Sequence, residues 1–224
     1  MNYLLIWDID GTLIQGRGMG RRAMDSAFLE LYGIKDGFKD ISMAGRLDSV
    51  ILADAFALHS LDGNNPEIFF NKYCFYLEKE VQMLARPIIA SGIWALLEKL
   101  EQIPEVFNVL GTGNIEKGAR VKLGVHALNP IFPTGGFGDE FMERWQVIEK
   151  AASNARDYFG INFTKENTFV IGDTPMDIEC GKKNHMKTIG VATGGNSVEE
   201  LKKCGADYVF KNLEDSNSFL GILK

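Results

Sequence analysis

Residues 3–7, Tyr-Leu-Leu-Ile-Trp, form an apolar run without helical spacing, and Asp8-Ile9-Asp10-Gly11-Thr12 follows at once. Such a run fits a strand buried on both faces of a parallel sheet. Two unpaired charges inside that sheet would each cost several kcal/mol. Asp8 and Asp10 therefore mark the place where the strand gives way to a loop, the edge of an open α/β sheet at which ligands bind. Gly11 permits a tight turn beside a ligand, and Thr12 adds a hydroxyl and an amide. Two neighbouring carboxylates repel each other, and a divalent cation such as Mg²⁺ between them keeps both ionised at neutral pH.

The rest of the chain can support such a sheet. Its 224 residues are 46% hydrophobic and 24% charged, enough for one globular domain or for a core domain carrying a smaller insertion. A net charge of -6 without a long Lys/Arg run argues against non-specific nucleic-acid binding and against anionic membrane surfaces. The first apolar run stops at Asp8 and no basic stretch precedes it, so it reads as neither a signal peptide nor a spanning helix. A cytoplasmic location is the expectation. Cys74, Cys180 and Cys204 lack metal or redox spacing and read as reduced and mostly structural; His59, His126 and His185 form no ligand pattern.

After Leu13 the sequence turns polar and glycine-rich. Helical spacing of Ala23, Met24, Ala27, Phe28 and Leu31 runs up to Gly33, a second helix is expected from Leu47 to about Leu61, and a third begins with Asn65 as N-cap and Pro66 and runs to about Leu84. No strand signal interrupts residues 15–86, which read as an all-helical unit inserted after the first strand. Residues 1–14 and 87–224 then make up an α/β core in which helices and strands alternate. Helices are expected around Ile93–Leu100, Ile115–Leu128 and Arg144–Tyr158, and strands at Val106–Leu110, Thr168–Ile171, Lys187–Ala192 and Ala206–Phe210. A glycine-rich loop occupies 134–140, and Ser197 with Glu200 forms a capping box.

Right-handed crossovers bring the carboxyl ends of parallel strands to one edge. Two further strands end there in polar residues. Val106–Leu110 runs into Gly111-Thr112-Gly113-Asn114, where the Thr112 hydroxyl and the Gly113 and Asn114 amides suit phosphate oxygens, although Asn114 also reads as an ordinary helix cap. Phe169–Gly172 runs into Asp173-Thr174-Pro175-Met176-Asp177, which makes Asp173 the natural third metal ligand. Asp177 falls at the third position of the next helix, where an acid caps the helix in any case.

Together these stretches resemble the haloacid dehalogenase superfamily of phosphohydrolases. Its first motif is Asp-X-Asp-Gly-Thr, its second a strand ending in Ser or Thr, and its fourth Gly-Asp-X-X-X-Asp. The resemblance implies a three-layer Rossmann-like parallel sheet with an inserted helical cap. It also implies Mg²⁺ held by the Asp8 carboxylate, the Asp10 carbonyl and Asp173, with Asp177 supporting it from behind. Asp8 would attack a small phosphate monoester and Asp10 would protonate the leaving alcohol. The family's third motif is a lysine. At the corresponding place the chain has Glu143-Arg144-Trp145, so Arg144 would supply the positive charge through a bidentate fork, with Lys117 as competitor.

The likeness is greatest to phosphoglycolate-phosphatase-type members. Ala44-Gly45-Arg46-Leu47-Asp48-Ser49 also resembles a cap loop shared with β-phosphoglucomutase-type members, which leaves a sugar-phosphate mutase open. A non-catalytic phosphoacceptor module is the alternative of another class. Arg46 either meets an anionic group of the substrate or pairs with Asp48 on the cap surface. Neither the substrate nor the oligomeric state follows from these motifs.

Overall fold

The computed structural model describes residues 1–61, 65–84, 87–139 and 143–223. Its centre is β1 (Tyr3–Trp7), whose last four residues are fully buried. Parallel neighbours flank it, β4 (Val106–Gly111) on one side and β6 (Thr168–Gly172) on the other. With β5 (Gly135–Gly136), β7 (Lys187–Val191) and β8 (Tyr208–Phe210) they form a parallel six-stranded sheet in the order β5-β4-β1-β6-β7-β8.

The period-2 alternation of β1 divides the core into two layers. Leu4 and Ile6 pack with Val109, Val170 and the inner residues of α6 (Arg144–Phe159) and α7 (Pro175–Lys183). Leu5 and Trp7 face the opposite layer, which contains α4 (Ile93–Glu101), α5 (Glu116–Gly124) and α9 (Ser216–Leu220). The three-layer parallel α/β architecture expected from the sequence is therefore present. The helix α8 (Val198–Lys203) starts at the expected Ser197–Glu200 capping box.

In chain order, three helices follow β1 before the chain returns to the sheet layers: α1 (Met19–Tyr32), α2 (Asp48–Leu58) and α3 (Pro66–Lys79), the last continuing into a π-helical turn at Glu80–Leu84. Gly33, in the left-handed region at φ 71°, ends α1, and the Asn65 side chain accepts from Glu67 N at 2.8 Å to start α3. Phe28 centres their packing, with its ring against Phe38, Phe56 and Phe69. The chain enters and leaves this region through a short antiparallel ribbon, β2 (Ile14–Gln15) against β3 (Ile88–Ile89).

The ribbon, β5 and α9 were not expected. The first is only two residues long on each strand, too short to carry a periodic signal. In place of part of the expected 134–140 loop, Gly135 and Gly136 form an edge strand. A Cβ on Gly135 would lie 2.6 Å from Leu110 O, and one on Gly136 would collide with Val147 O, so only glycine fits between β4 and α6. Glu140 of that loop lies outside the described residues, as do residues 62–64 and 85–86 of the expected 15–86 insertion. Helix α5 stops at Gly124 rather than 128, because Ala127 adopts a left-handed conformation that turns the chain. Among the described residues no helix is long and apolar enough to cross a membrane.

Candidate active site

The adjacent parallel strands β4, β1 and β6 deliver Thr112, Asp8 and Asp173 to one sheet edge. There they line a cavity of about 640 Å³ together with Asp10, Gly113, Asn114, Lys122 and Arg144. Residues of the helical region close its other side, among them Met19, Met24, Met43, Arg46, Asp48 and Tyr73. Gly11 turns the chain after Asp10 at φ 91°, with its N–H on Ile14 O at 2.8 Å.

Asp8, Asp173 and Asp177 are all buried, and each offers a carboxylate oxygen within 4.8 Å of the others. Arg144, the first residue of α6, reaches into this group. Its Nη2 donates to Asp8 Oδ1 at 2.8 Å and to Asp177 Oδ1 at 2.7 Å. This differs from the expected fork, since one nitrogen is shared between two carboxylates instead of two nitrogens gripping one. The approach depends on Gly113, where a Cβ would lie 2.8 Å from Arg144 Nη1. Burial works against the Arg144 cation, but Asp177 and Asp8 more than offset that and raise its pKa.

One cation does not balance three acids. Burial pushes Asp8 up to about 7 even though Arg144 pulls it down, and Asp177 and Asp10 add to the rise. Asp173 is pushed up to about 8 by burial and then by Asp8 and Asp177. Thr12 Oγ1 lies 3.4 Å from Asp173 Oδ1, and Gly11 and Gly194 press so close to this carboxylate that a Cβ at either would collide with it. Asp177 caps its helix and also joins the cluster. Its Oδ2 accepts from Thr174 N at 3.0 Å and Thr174 Oγ1 at 2.7 Å while Oδ1 holds Arg144.

Asp10 is placed differently. Its Oδ2 accepts from Lys122 Nζ at 2.6 Å and from Asn114 Nδ2 at 2.9 Å. Burial raises the Asp10 carboxyl, but Lys122 and Asn114 outweigh it and hold the group below the usual carboxylate range. Asn114 Nδ2 also donates to Thr112 Oγ1 at 2.8 Å, so the second strand end is tied to the first.

All the expected core residues thus meet at one edge. Arg46 lines the cavity, but it does not pair with Asp48. Its Nη2 bonds Asp54 Oδ2 at 2.6 Å, because Asp48 turns inward, where its Oδ2 accepts from Ile115 N at 3.0 Å. Lys117 is exposed on α5. The cation that sequence reasoning missed is Lys122 on the same helix. It follows Ile115 and Ala119 on the buried stripe, seven and three residues on, and a lysine at that register was the available signal.

Residues 146–216 match a HAD-hydrolase-like family model. Similar solved structures include a putative phosphatase from Clostridium difficile, 21% identical, covering 100% of both chains at a TM-score of 0.68. A putative beta-phosphoglucomutase from Thermotoga maritima is 19% identical over 100% of both chains, with a TM-score of 0.66. A predicted phosphoglycolate phosphatase from Haemophilus somnus is 16% identical over 98% of both chains, with a TM-score of 0.70. The fold is that of the haloacid dehalogenase-like hydrolases. In this haloacid dehalogenase-like fold the three strand-end stretches picked out in the sequence, and Arg144 at the start of α6, meet at one cavity. No protein of curated function matches the chain by sequence.

Proposed function

We propose that the chain is a Mg²⁺-dependent phosphatase that hydrolyses small phosphate monoesters through an aspartyl-phosphate. The observation that carries this reading is the contrast between two carboxylates on either side of Ile9. Asp8 sits among further acids with Arg144 alongside, and Asp10 is ion-paired to Lys122 in the same cavity. This contrast supports Asp8 as the nucleophile, beside a cation that would also meet the phosphoryl group, and Asp10 as the acid–base group.

A hard divalent cation fits the donors at the sheet edge. They are oxygens from carboxylates, and burial first, then the neighbouring acids, raise the Asp8 and Asp173 carboxyls, a penalty on their ionised forms that a bound cation would relieve. The Asp8 carboxylate, the Asp10 carbonyl and Asp173 would hold the ion, with Asp177 keeping Arg144 in place behind them. A bound Mg²⁺ supplies charge neutralisation between the nucleophile and a dianionic ester.

In the forward step an Asp8 oxygen bonds to phosphorus as the bond to the ester oxygen breaks, and Asp10, whose carboxyl Lys122 and Asn114 hold low without substrate and which takes up a proton as the ester binds, passes that proton to the departing alkoxide. Arg144, the Thr112 hydroxyl and the Gly113 and Asn114 amides hold the phosphoryl oxygens. Asp10 then takes a proton from water as that water attacks phosphorus, which frees phosphate and restores Asp8. Residues 15–86 act as a cap over the cavity, and Arg46 contacts the leaving group. A sugar-phosphate mutase is the second reading, supported by Arg21 and Arg46 among the residues lining the cavity, either of which could meet a second anionic group by leaving its present partners.

Phosphate release from a panel of phosphorylated small molecules, with Mg²⁺ and with excess EDTA, tests the proposal. Mg²⁺-dependent release from at least one monoester is expected. Conversion of a sugar phosphate to its isomer without release would favour the mutase, and no turnover of any ester would sink both readings.

A further inference from the structure

A lysine buried on a helix needs a partner, because an uncompensated ammonium in the interior is costly. Lys122 has only 5% of its side chain exposed, and its two close partners both belong to the cavity. Nζ stands 2.6 Å from Asp10 Oδ2 and 2.6 Å from Asn114 Oδ1. Asn114 closes the triangle by donating to the same Asp10 oxygen at 2.9 Å. The surroundings leave room for the ammonium. Gly20 at the start of α1 has its Cβ position 3.6 Å from Nζ, and Gly118, one turn before Lys122, lets the Tyr73 ring lie against α5.

This arrangement fixes one oxygen of Asp10 and spares the other. Both donors grip Oδ2, while Oδ1 is turned toward Gly16, whose Cβ position is 3.1 Å away. Arg144, by contrast, has its Nη2 on the nucleophile and on Asp177. The two buried cations of the cavity therefore hold different carboxylates, Lys122 that of Asp10 and Arg144 those of Asp8 and Asp177.

We propose that Lys122 is a positioning residue for Asp10: it locks Oδ2 so that Oδ1 is presented to the leaving oxygen, and so governs turnover of esters whose alcohol must be protonated as it departs. The inference rests on the reading of Asp10 as the leaving-group acid. It assigns Lys122 no direct part in holding phosphate. A general acid typically contributes a factor of about 10²–10⁴ to such a step, whereas a nitrophenolate departs without a proton.

The test compares kcat for p-nitrophenyl phosphate with kcat for the best alkyl monoester of the panel, at saturating Mg²⁺, in wild type, Lys122→Met and Lys122→Arg. Lys122→Met should lower the alkyl rate by about a hundredfold and the nitrophenyl rate by less than about threefold, a change in ratio typical of a lost acid contribution. Taking the ratio within one preparation cancels any loss of correctly folded protein. Lys122→Arg, which keeps a cation facing Asp10, should recover part of the ratio. Adding Lys122→Met to Asp10→Asn should change the ratio no further, as expected for residues that act as one unit. Equal losses on both esters, or a further change of ratio on top of Asp10→Asn, would overturn the proposal. A wild type that hydrolyses neither ester would instead remove the phosphatase reading, and this inference with it.

Discussion

Asp8 and Asp10 are separated by one residue, yet the two halves of the cavity they head are built on different charge arithmetic. Around Asp8, three buried acids share one arginine, and two of the three are pushed up to about 7 and about 8. Around Asp10, one acid faces one lysine with an asparagine alongside, and its carboxyl is held low. The strand supplies both carboxylates, so the difference comes from the elements that reach toward them. Helix α6 brings its first residue to Asp8, and α5 brings a residue of its buried stripe to Asp10. Under the proposed function, two chemically identical side chains would thereby take different roles: a nucleophile in a region short of positive charge, and an acid–base group already paired.

Substitutions on either side of Ile9 test this contrast. The largest effect is expected for Asp8→Asn, which should leave less than about a hundredth of wild-type phosphate release, as befits loss of a covalent nucleophile. Full turnover in that variant would end the assignment of the Asp8 half. Arg144→Ala should lower kcat/KM by about a hundredfold, the order found when a charge-stabilising group is removed. Lys117→Ala, on the exposed face of α5, serves as the control, and steady-state kinetics showing Lys117 as the sensitive position would reverse the assignment of the third-motif cation.

Arg46→Ala should act unequally, costing the best natural ester about tenfold more than a small artificial one, within the range one lost charged contact spans. Equal losses would mean that Arg46, held by Asp54, only shapes the helical region.

Asp48 gives the smallest effect, one on stability. Burial is the main cause that pushes its carboxyl up to about 6 from 3.8. The folded protein therefore keeps this proton to higher pH than the unfolded chain does. Stability from this group is present below pH 4 and falls away as the pH rises to about 6. Asp48→Asn imitates the protonated form and should be more stable than wild type at pH 8 by something on the order of 2 kcal/mol, with little difference near pH 4. Urea unfolding at the two pH values checks this, and parallel losses in both proteins would contradict it.

Much of the Asp8 half was legible in the sequence because each part is local. An apolar run that stops at a charge can stop only at a sheet edge, and Arg144 declares itself by opening a long helix after a glycine-rich stretch. The parallel sheet itself follows from alternating helix and strand patterns. The Asp10 half was harder to read, since Lys122 meets its partner 112 positions away and a helical lysine ordinarily lies in water. Arg46 has the opposite difficulty: Asp48 is nearer in sequence, but the helix-start amide of Ile115 draws that acid inward and leaves Asp54 to bind the guanidinium. The β5 strand escaped notice because two glycines carry no side-chain pattern, and close packing against Leu110 and Val147 is what requires them.

The central claim is that the surplus of acids around Asp8 is a divalent-cation site. Mn²⁺ binding to the substrate-free protein, followed by electron paramagnetic resonance, tests it directly in wild type and in Asp173→Asn. The account predicts one Mn²⁺ bound per wild-type chain and at least about tenfold weaker binding in the variant, the loss expected for a missing carboxylate ligand. Equal binding by the two proteins, or none by the wild type, would contradict it.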